Sequence, residues 1–111
     1  MKKNILALDL VDDEQLIREY DKYHENVWPE VICSIKQAGI LGMEIYRISN
    51  RLVMIMEVEN EFSFESKNEQ DAKNPKVQEW EKLMWKYQAA LPVSKPGEKW
   101  MVMKRIFTLD K

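Results

Sequence analysis

The chain has 111 residues, of which 45% are hydrophobic and 32% are charged, a composition typical of one folded domain, 1–111. Its net charge is -2 and basic and acidic residues are interspersed, so nucleic acid is not expected as a partner. The sequence contains no apolar run near the ~20 residues of a membrane span, and a membrane partner is likewise not expected. Cys33 is the single cysteine and cannot form an internal disulfide, so we expect a reducing, cytoplasmic location.

The first half of the chain predicts one strand and two helical segments. Residues 4–11 alternate in the pattern of a strand, and Asp12 or Asp13 then offers a helix cap. The apolar stripe of the first helix recurs at spacings of four, three and four: Leu16, Tyr20, Tyr23, Val27. Pro29 interrupts that helix and favours the start of a second one, which is predicted to run over 29–38 and to stop at Gly39.

The second half predicts a hairpin, further helices and a closing strand. Residues 41–48 and 51–58 alternate as two strands around a Ser49-Asn50 turn. Three elements are then expected: a short helix over 61–72, a well-patterned helix from Asn74-Pro75 to near Ala90, and, after a loop over 93–98, a strand over 99–109.

This order of elements predicts an α+β domain of the ferredoxin-like βαββαβ type. The strands carry apolar residues on both faces, whereas the helices of one chain can cover only one face. The second face includes Ile5, Ala7, Val53 and Ile55. Two copies packed sheet to sheet would bury it, which predicts a homodimer; the alternative is that this face binds a small ligand.

His24, the single histidine, lies four residues after Tyr20 and four before Trp28. Side chains four apart share one face of a helix, so a phenol and a group that exchanges protons near neutral pH are expected side by side. A core histidine with a hydrogen-bond partner is the ordinary alternative for such a residue.

Aromatic side chains of other elements are expected to converge on His24. Besides Tyr20, these are Tyr46 from the hairpin and Trp80 from the last helix, with Trp28 at the helix break. A ring-lined pocket with a few polar groups suits a sugar, although Tyr46 and Trp80 also fit the pattern of core aromatics. No phosphate loop, serine-nucleophile elbow or cluster with metal-ligand spacing is present, so neither a metal nor a cofactor is expected.

The run Tyr20-x-x-x-His24-x-x-x-Trp28-Pro29-Glu30 resembles the first-helix motif of the L-rhamnose mutarotase family. Three later segments extend the resemblance over nearly the whole chain: Met43-Glu44-Ile45-Tyr46 with its hairpin through Glu57, Val77-Gln78-Glu79-Trp80, and Phe107-x-Leu109. The resemblance implies a dimeric α/β barrel and an isomerase that interconverts the α and β anomers of a free 6-deoxy-hexose without a cofactor.

The resemblance also assigns site residues. It implies that His24 is the proton donor, that Tyr20 contacts the substrate, and that Trp80 is the first of two adjacent tryptophans at the pocket. This chain has Glu81 in place of the second tryptophan and Met43 in place of a sugar-contacting tyrosine. With these departures, the candidate substrates are L-rhamnose, L-fucose and another aldose.

Anomer exchange requires protonation of the ring oxygen and deprotonation of the anomeric hydroxyl. His24 is the expected acid. Three groups are candidates for the base: Tyr20, Glu81 and a bound water. Two other functions fit the predicted architecture: a sugar-binding module without catalysis, and a haem-degrading or monooxygenase-type barrel in which His24 ligates iron.

Overall fold

The computed structural model describes residues 2–109. The elements in chain order are β1 Lys2–Leu10, α1 Glu14–Tyr23, α2 Pro29–Gln37, β2 Ile40–Ile48, β3 Arg51–Val58, α3 Phe64–Ala72, α4 Pro75–Trp85, β4 Gln88–Ala89 and β5 Met101–Val102. This order confirms the predicted α+β arrangement. Within residues 2–109, no helix is both long enough and apolar enough to cross a membrane.

One antiparallel sheet has the strand order β2-β3-β1-β4, and β5 also pairs with β1. β4 pairs with the end of β1 at Asp9 and Leu10, whereas β5 pairs at Leu6 and Ala7. β2 and β3 form the predicted hairpin, in which Ser49 adopts a left-handed φ of 51°. This strand order is that of a ferredoxin-like domain, with β2 at one edge of the sheet.

Each helix begins at a residue that the sequence marks. The Asp13 carboxylate accepts a hydrogen bond from the Leu16 backbone N–H at 3.0 Å, and Asn74 accepts from two N–H groups at the start of α4. Trp28 has extended backbone (φ -55°, ψ 134°) before Pro29, which begins α2. The chain therefore turns between α1 and α2, immediately after His24.

The helices pack on one face of the sheet and form the core there. The buried sheet residues on that face are Leu6, Leu8, Leu10, Ile40, Leu52, Met54, Met56 and Val58. Tyr20, Val31 and Trp80 contribute the buried helix side of the core. On the opposite face, here called the outer face, Ala7 is buried but Val53 and Ile55 are only half-buried, as expected for a face without helices.

Two predicted boundaries are wrong at the end of the chain. The last helix ends at Trp85 and not near Ala90, since Gln88–Ala89 pairs with β1 instead. The closing strand predicted over 99–109 is reduced to Met101–Val102. Because Leu6 lies opposite Val102 in an antiparallel pair, residue 106 would lie opposite Lys2, and 107–109 extend past the start of β1.

The short helix predicted over 61–72 begins later, at Phe64, where Ser63 caps it.

Candidate active site

His24 lies directly after the last turn of α1 and is half-buried. Its Nδ1 is 2.9 Å from the backbone carbonyl oxygen of Tyr20. A carbonyl oxygen can only accept a hydrogen bond, so Nδ1 carries a proton and donates it. Nε2 is then the nitrogen that exchanges protons: it accepts in the neutral ring and donates in the imidazolium.

The imidazole of His24 belongs to a series of aromatic rings in contact. The ring centroid of His24 is 4.4 Å from that of Tyr20 and 5.7 Å from that of Trp80, and the latter pair meets edge to face. Trp80 in turn contacts Trp28, with ring centroids 5.1 Å apart. The structure thus brings together four of the predicted site residues, from α1, from the turn before α2, and from α4.

The hydroxyl of Tyr20 is buried and accepts a hydrogen bond. Tyr20 is only 3% exposed, and its oxygen accepts a hydrogen bond of 3.2 Å from the amide nitrogen of Gln88. Burial raises the pKa of Tyr20; the Gln88 hydrogen bond partly offsets this, and the charge of Asp21 adds to it. The phenol therefore stays protonated at neutral pH, and its O–H can be donated to a ligand.

A small cavity of about 190 Å³ opens beside these rings. Its lining residues are Tyr20, Asp21, His24, Glu25, Ile45, Arg47 and Leu52. Ile45 and Leu52 give it an apolar wall from the helix-covered face of the sheet. A cavity with one apolar wall and convergent polar groups is typical of a binding site for a small polar molecule.

A bidentate ion pair borders the cavity. Arg47 Nε and Nη2 donate to the two carboxylate oxygens of Asp21 at 2.9 and 2.6 Å. Arg47 also donates to the backbone oxygen of Ser49 at 2.9 Å, which orients the guanidinium. The fixed geometry of such a pair leaves acceptor and donor positions for the hydroxyl groups of a ligand.

Four polar residues of the site are not among those predicted from the sequence: Asp21, Glu25, Arg47 and Gln88. Asp21 and Arg47 are 26 residues apart, and Tyr20 and Gln88 are 68 apart. No local spacing relates them, because the hairpin and β4 bring them together only when the sheet forms. Glu25 directly follows His24 in the sequence, and this adjacency is the only feature of the sequence that points to it as a site residue.

The remaining predicted site residues lie elsewhere. Tyr46 pairs with Val53 on the outer face and is exposed, so one chain does not bring it to His24. Met43 packs among the buried methionines on the helix-covered face, outside the cavity lining. Glu81 is half-buried on α4 next to Trp80 and does not line the cavity either.

A second, larger hollow of about 390 Å³ shares no lining residue with the first. It lies between α2, α3 and α4, next to the buried carboxylate of Asp71, which Lys67 contacts at 2.5 Å and Ser34 at 3.3 Å. Those contacts satisfy the carboxylate, and we regard them as structural. Among residues 2–109, no group of three or more His, Cys, Asp or Glu side chains is placed to hold a metal ion.

Comparison with known sequences identifies the family. A profile of the L-rhamnose mutarotase family matches residues 4–109. The chain belongs to the L-rhamnose mutarotase family. The resemblance noted in the sequence is thereby confirmed, and family membership makes the protein an isomerase-type enzyme that acts on sugars.

Individual relatives agree with this assignment. The mutarotase-family chain is 47% identical to an L-fucose mutarotase of Xanthomonas campestris pv. campestris, and the match covers 100% of this chain and 90% of the relative. A protein of Dictyostelium discoideum is 39% identical over 94% of this chain and 86% of its own length.

Solved structures show the same fold. The crystal structure of an L-rhamnose mutarotase from Formosa agariphila matches with a TM-score of 0.71 at 18% identity, over 99% of this chain and 100% of that one. Tetracenomycin F2 cyclase from Streptomyces glaucescens matches with a TM-score of 0.63 at 11% identity, over 100% and 99% of the two chains. At these identities the likeness concerns the fold alone, which is shared by a mutarotase and a cyclase.

Proposed function

We propose that this protein interconverts the α and β anomers of a free 6-deoxy-hexose, with L-fucose ahead of L-rhamnose. The observation that carries the proposal is the imidazole of His24, whose Nδ1 is engaged by the Tyr20 carbonyl at 2.9 Å while its ring borders a small cavity. The preference for L-fucose rests on the 47% identity to an L-fucose mutarotase.

In the proposed mechanism, the imidazolium of His24 gives its Nε2 proton to the ring oxygen of the sugar. The bond from the anomeric carbon to the ring oxygen breaks, the anomeric hydroxyl loses its proton to a base, and the open-chain aldehyde forms. Rotation about the bond next to the carbonyl and reversal of both proton transfers close the ring on the other face. Positioned proton transfer of this kind typically contributes about 10²–10⁴-fold in rate.

Two observations bear on our choice of base. Tyr20 stays protonated because burial raises its pKa, so its O–H suits an orienting hydrogen bond to a sugar hydroxyl. Glu81 does not line the cavity. Of the three candidates, we favour a bound water, which would accept the anomeric proton and pass it to a carboxylate that lines the cavity, such as Glu25.

The cavity lining also fits a deoxy-sugar. The apolar wall formed by Ile45 and Leu52 suits the methyl group that distinguishes a 6-deoxy-hexose, because a hydroxymethyl group there would lose its hydrogen bonds to water. Asp21 and Arg47 offer an acceptor and a donor for ring hydroxyls.

We also propose that the protein is a homodimer with the two outer faces packed on each other. Tyr46 and Ile48 are exposed on that face, and Val53 and Ile55 are half-buried without a helix over them. Sheets that pack face to face at about 10 Å bury such residues.

The test of the activity is NMR saturation transfer between the anomeric proton signals of L-fucose and of L-rhamnose. We expect transfer well above the uncatalysed exchange with the protein present, and more for L-fucose. Binding of either sugar without faster exchange would instead support the sugar-binding module, and no effect on any aldose would contradict both.

A further inference from the structure

The ion pair between Asp21 on α1 and Arg47 on β2 is well ordered although it lies partly in solvent. The side chain of Asp21 is 45% exposed and that of Arg47 33%, and ion pairs at such exposure contribute little to the stability of a fold. The guanidinium is nevertheless held by three hydrogen bonds, two to Asp21 and one to the backbone oxygen of Ser49. A rigid charged pair at the border of a cavity points to a role in binding what enters the cavity.

The Asp21–Arg47 pair keeps capacity for further hydrogen bonds. An arginine side chain has five N–H donors. Three of those of Arg47 are used, and the other two have no partner among residues 2–109. Each carboxylate oxygen of Asp21 accepts one hydrogen bond and can accept another. Two adjacent hydroxyl groups of a sugar, each of which can both donate and accept, match this set of donors and acceptors.

The pair lies next to the apolar wall of the cavity. Arg47 follows Ile45 by two residues on β2, and side chains two apart lie on the same face of a strand. Leu52, the other wall residue, is the β3 residue directly opposite Arg47. Side chains opposite each other in an antiparallel pair are about 4.5–5.5 Å apart at their Cβ atoms. A group held by Arg47 is therefore a close neighbour of a group that contacts the wall.

This placement selects one hydroxyl group of the sugar. In a 6-deoxy-hexose the methyl group is attached to C5, and the ring neighbours of C5 are the ring oxygen and C4. With the ring oxygen at His24 and the methyl group on Ile45 and Leu52, the C4 hydroxyl is the substituent nearest to the pair. The two candidate sugars differ at this carbon, since the C4 hydroxyl is axial in L-fucose and equatorial in L-rhamnose.

We propose that the Asp21–Arg47 pair determines the sugar preference by binding the axial C4 hydroxyl together with its neighbour on C3, which is cis to it in L-fucose. An equatorial C4 hydroxyl is displaced from this position and leaves the guanidinium short of a partner. Polar groups left without a partner are the usual source of discrimination between such isomers. The inference rests on the proposed function, from which it takes the orientation of the sugar.

The test compares L-fucose with 6-deoxy-L-glucose, which differs from it only in the configuration at C4. NMR saturation transfer at several sugar concentrations gives kcat/KM for both sugars with the same protein. For the wild type we expect a preference for L-fucose of at least about tenfold, the effect of one hydrogen bond to a charged group. Exchange of both sugars without a preference would overturn this proposal and leave the proposed function standing.

The variant Asp21→Asn/Arg47→Gln removes the pair without changing the net charge. Glu14→Gln/Arg18→Gln is the matched control, since it removes an exposed ion pair of the same helix outside the cavity lining. We expect the first variant to lose the preference for L-fucose and the control to retain it. The ratio between the two sugars is the readout, because a loss of stability lowers both rates alike. A wild-type ratio in Asp21→Asn/Arg47→Gln would refute the assignment.

A second variant and a binding measurement keep the proposal testable if the double variant does not fold or the wild type is not a mutarotase. Arg47→Lys keeps the positive charge but removes the fork of donors, so it should also reduce the preference, and an unchanged ratio would contradict the proposal. Absence of exchange with every sugar would contradict the proposed function. Calorimetric titration then decides the role of the pair: tighter binding of L-fucose than of 6-deoxy-L-glucose, reduced in Arg47→Lys, supports it, and equal binding overturns it.

Discussion

At the residue scale, one hydrogen bond defines the chemistry of the site. The Tyr20 carbonyl accepts the Nδ1 proton of His24 and so leaves Nε2 as the exchanging atom. The ring of the same tyrosine lies next to the imidazole, and its hydroxyl oxygen accepts a hydrogen bond from the Gln88 amide. The helical spacing of four predicts that the two side chains are neighbours; it does not predict which nitrogen bonds to the Tyr20 carbonyl.

The first prediction concerns His24→Ala. We expect the variant to fold, because the side chain is only half-buried and its hydrogen bond is to a carbonyl within α1. Anomer exchange should fall by about 10²–10⁴-fold, the usual contribution of a positioned acid. NMR saturation transfer measures it, and Lys22→Ala on the exposed side of the same helix is the control. Full exchange activity in folded His24→Ala would remove the imidazole from the mechanism.

The second prediction concerns Gln88→Leu, which removes the donor to the Tyr20 oxygen. The pKa of Tyr20 should rise further, because that hydrogen bond lowers it. Stability should fall by about 1 kcal/mol, the typical net value of such a bond, and KM should rise more than kcat falls because the O–H is no longer oriented. Urea unfolding and saturation transfer at several sugar concentrations measure the two effects.

Gln15→Leu is the matched control, since Gln15 donates to Glu19 on the exposed side of α1, outside the cavity lining. It should leave KM unchanged. An unchanged KM in Gln88→Leu as well would show that Tyr20 does not depend on this hydrogen bond for its orientation.

At the scale of elements, the helix caps determine where the site residues lie. Asn74 accepts from the backbone N–H groups of Lys76 and Val77, so α4 begins in a register that places Trp80 against His24. The third prediction is that Asn74→Ala lowers the free energy of unfolding by about 1 kcal/mol.

Asn68→Ala is the control for the cap, since Asn68 is exposed inside α3. It should change stability by less than about 0.5 kcal/mol. Equal effects of the two variants in urea unfolding would mean that the Asn74 cap contributes nothing beyond helix propensity.

At the scale of the whole molecule, Tyr87 joins the end of α4 to α1. Its ring is buried and its hydroxyl donates to Glu19 Oε1 at 2.9 Å. Burial, together with the hydrogen bond to Glu19 and the charge of that carboxylate, raises the pKa of Tyr87 to about 12. In the unfolded chain this phenol has its ordinary value of 10.0.

The fourth prediction follows from that difference. Between the two pKa values the unfolded chain loses the proton while the folded chain keeps it, so the stabilisation is complete below pH 10 and is lost as the pH rises through about 12. The free energy of unfolding should therefore decline as the pH rises above 10. In Tyr87→Phe, the free energy of unfolding should decline less over the same pH range. A decline in Tyr87→Phe as steep as in the wild type would contradict the prediction.

The sequence by itself determined the order of elements, the caps at Asp13 and Asn74, and the pairing of Tyr20 with His24, because each depends on contacts between residues close in the chain. Tertiary structure alone decided that Gln88 meets Tyr20, that Arg47 meets Asp21, and that Tyr46 lies on the far face of the sheet from His24. It also decided where the closing strand ends: an alternating apolar pattern predicts a strand, but a strand needs a neighbour for its hydrogen bonds, and among residues 2–109 no strand lies beside 107–109, which extend past the start of β1.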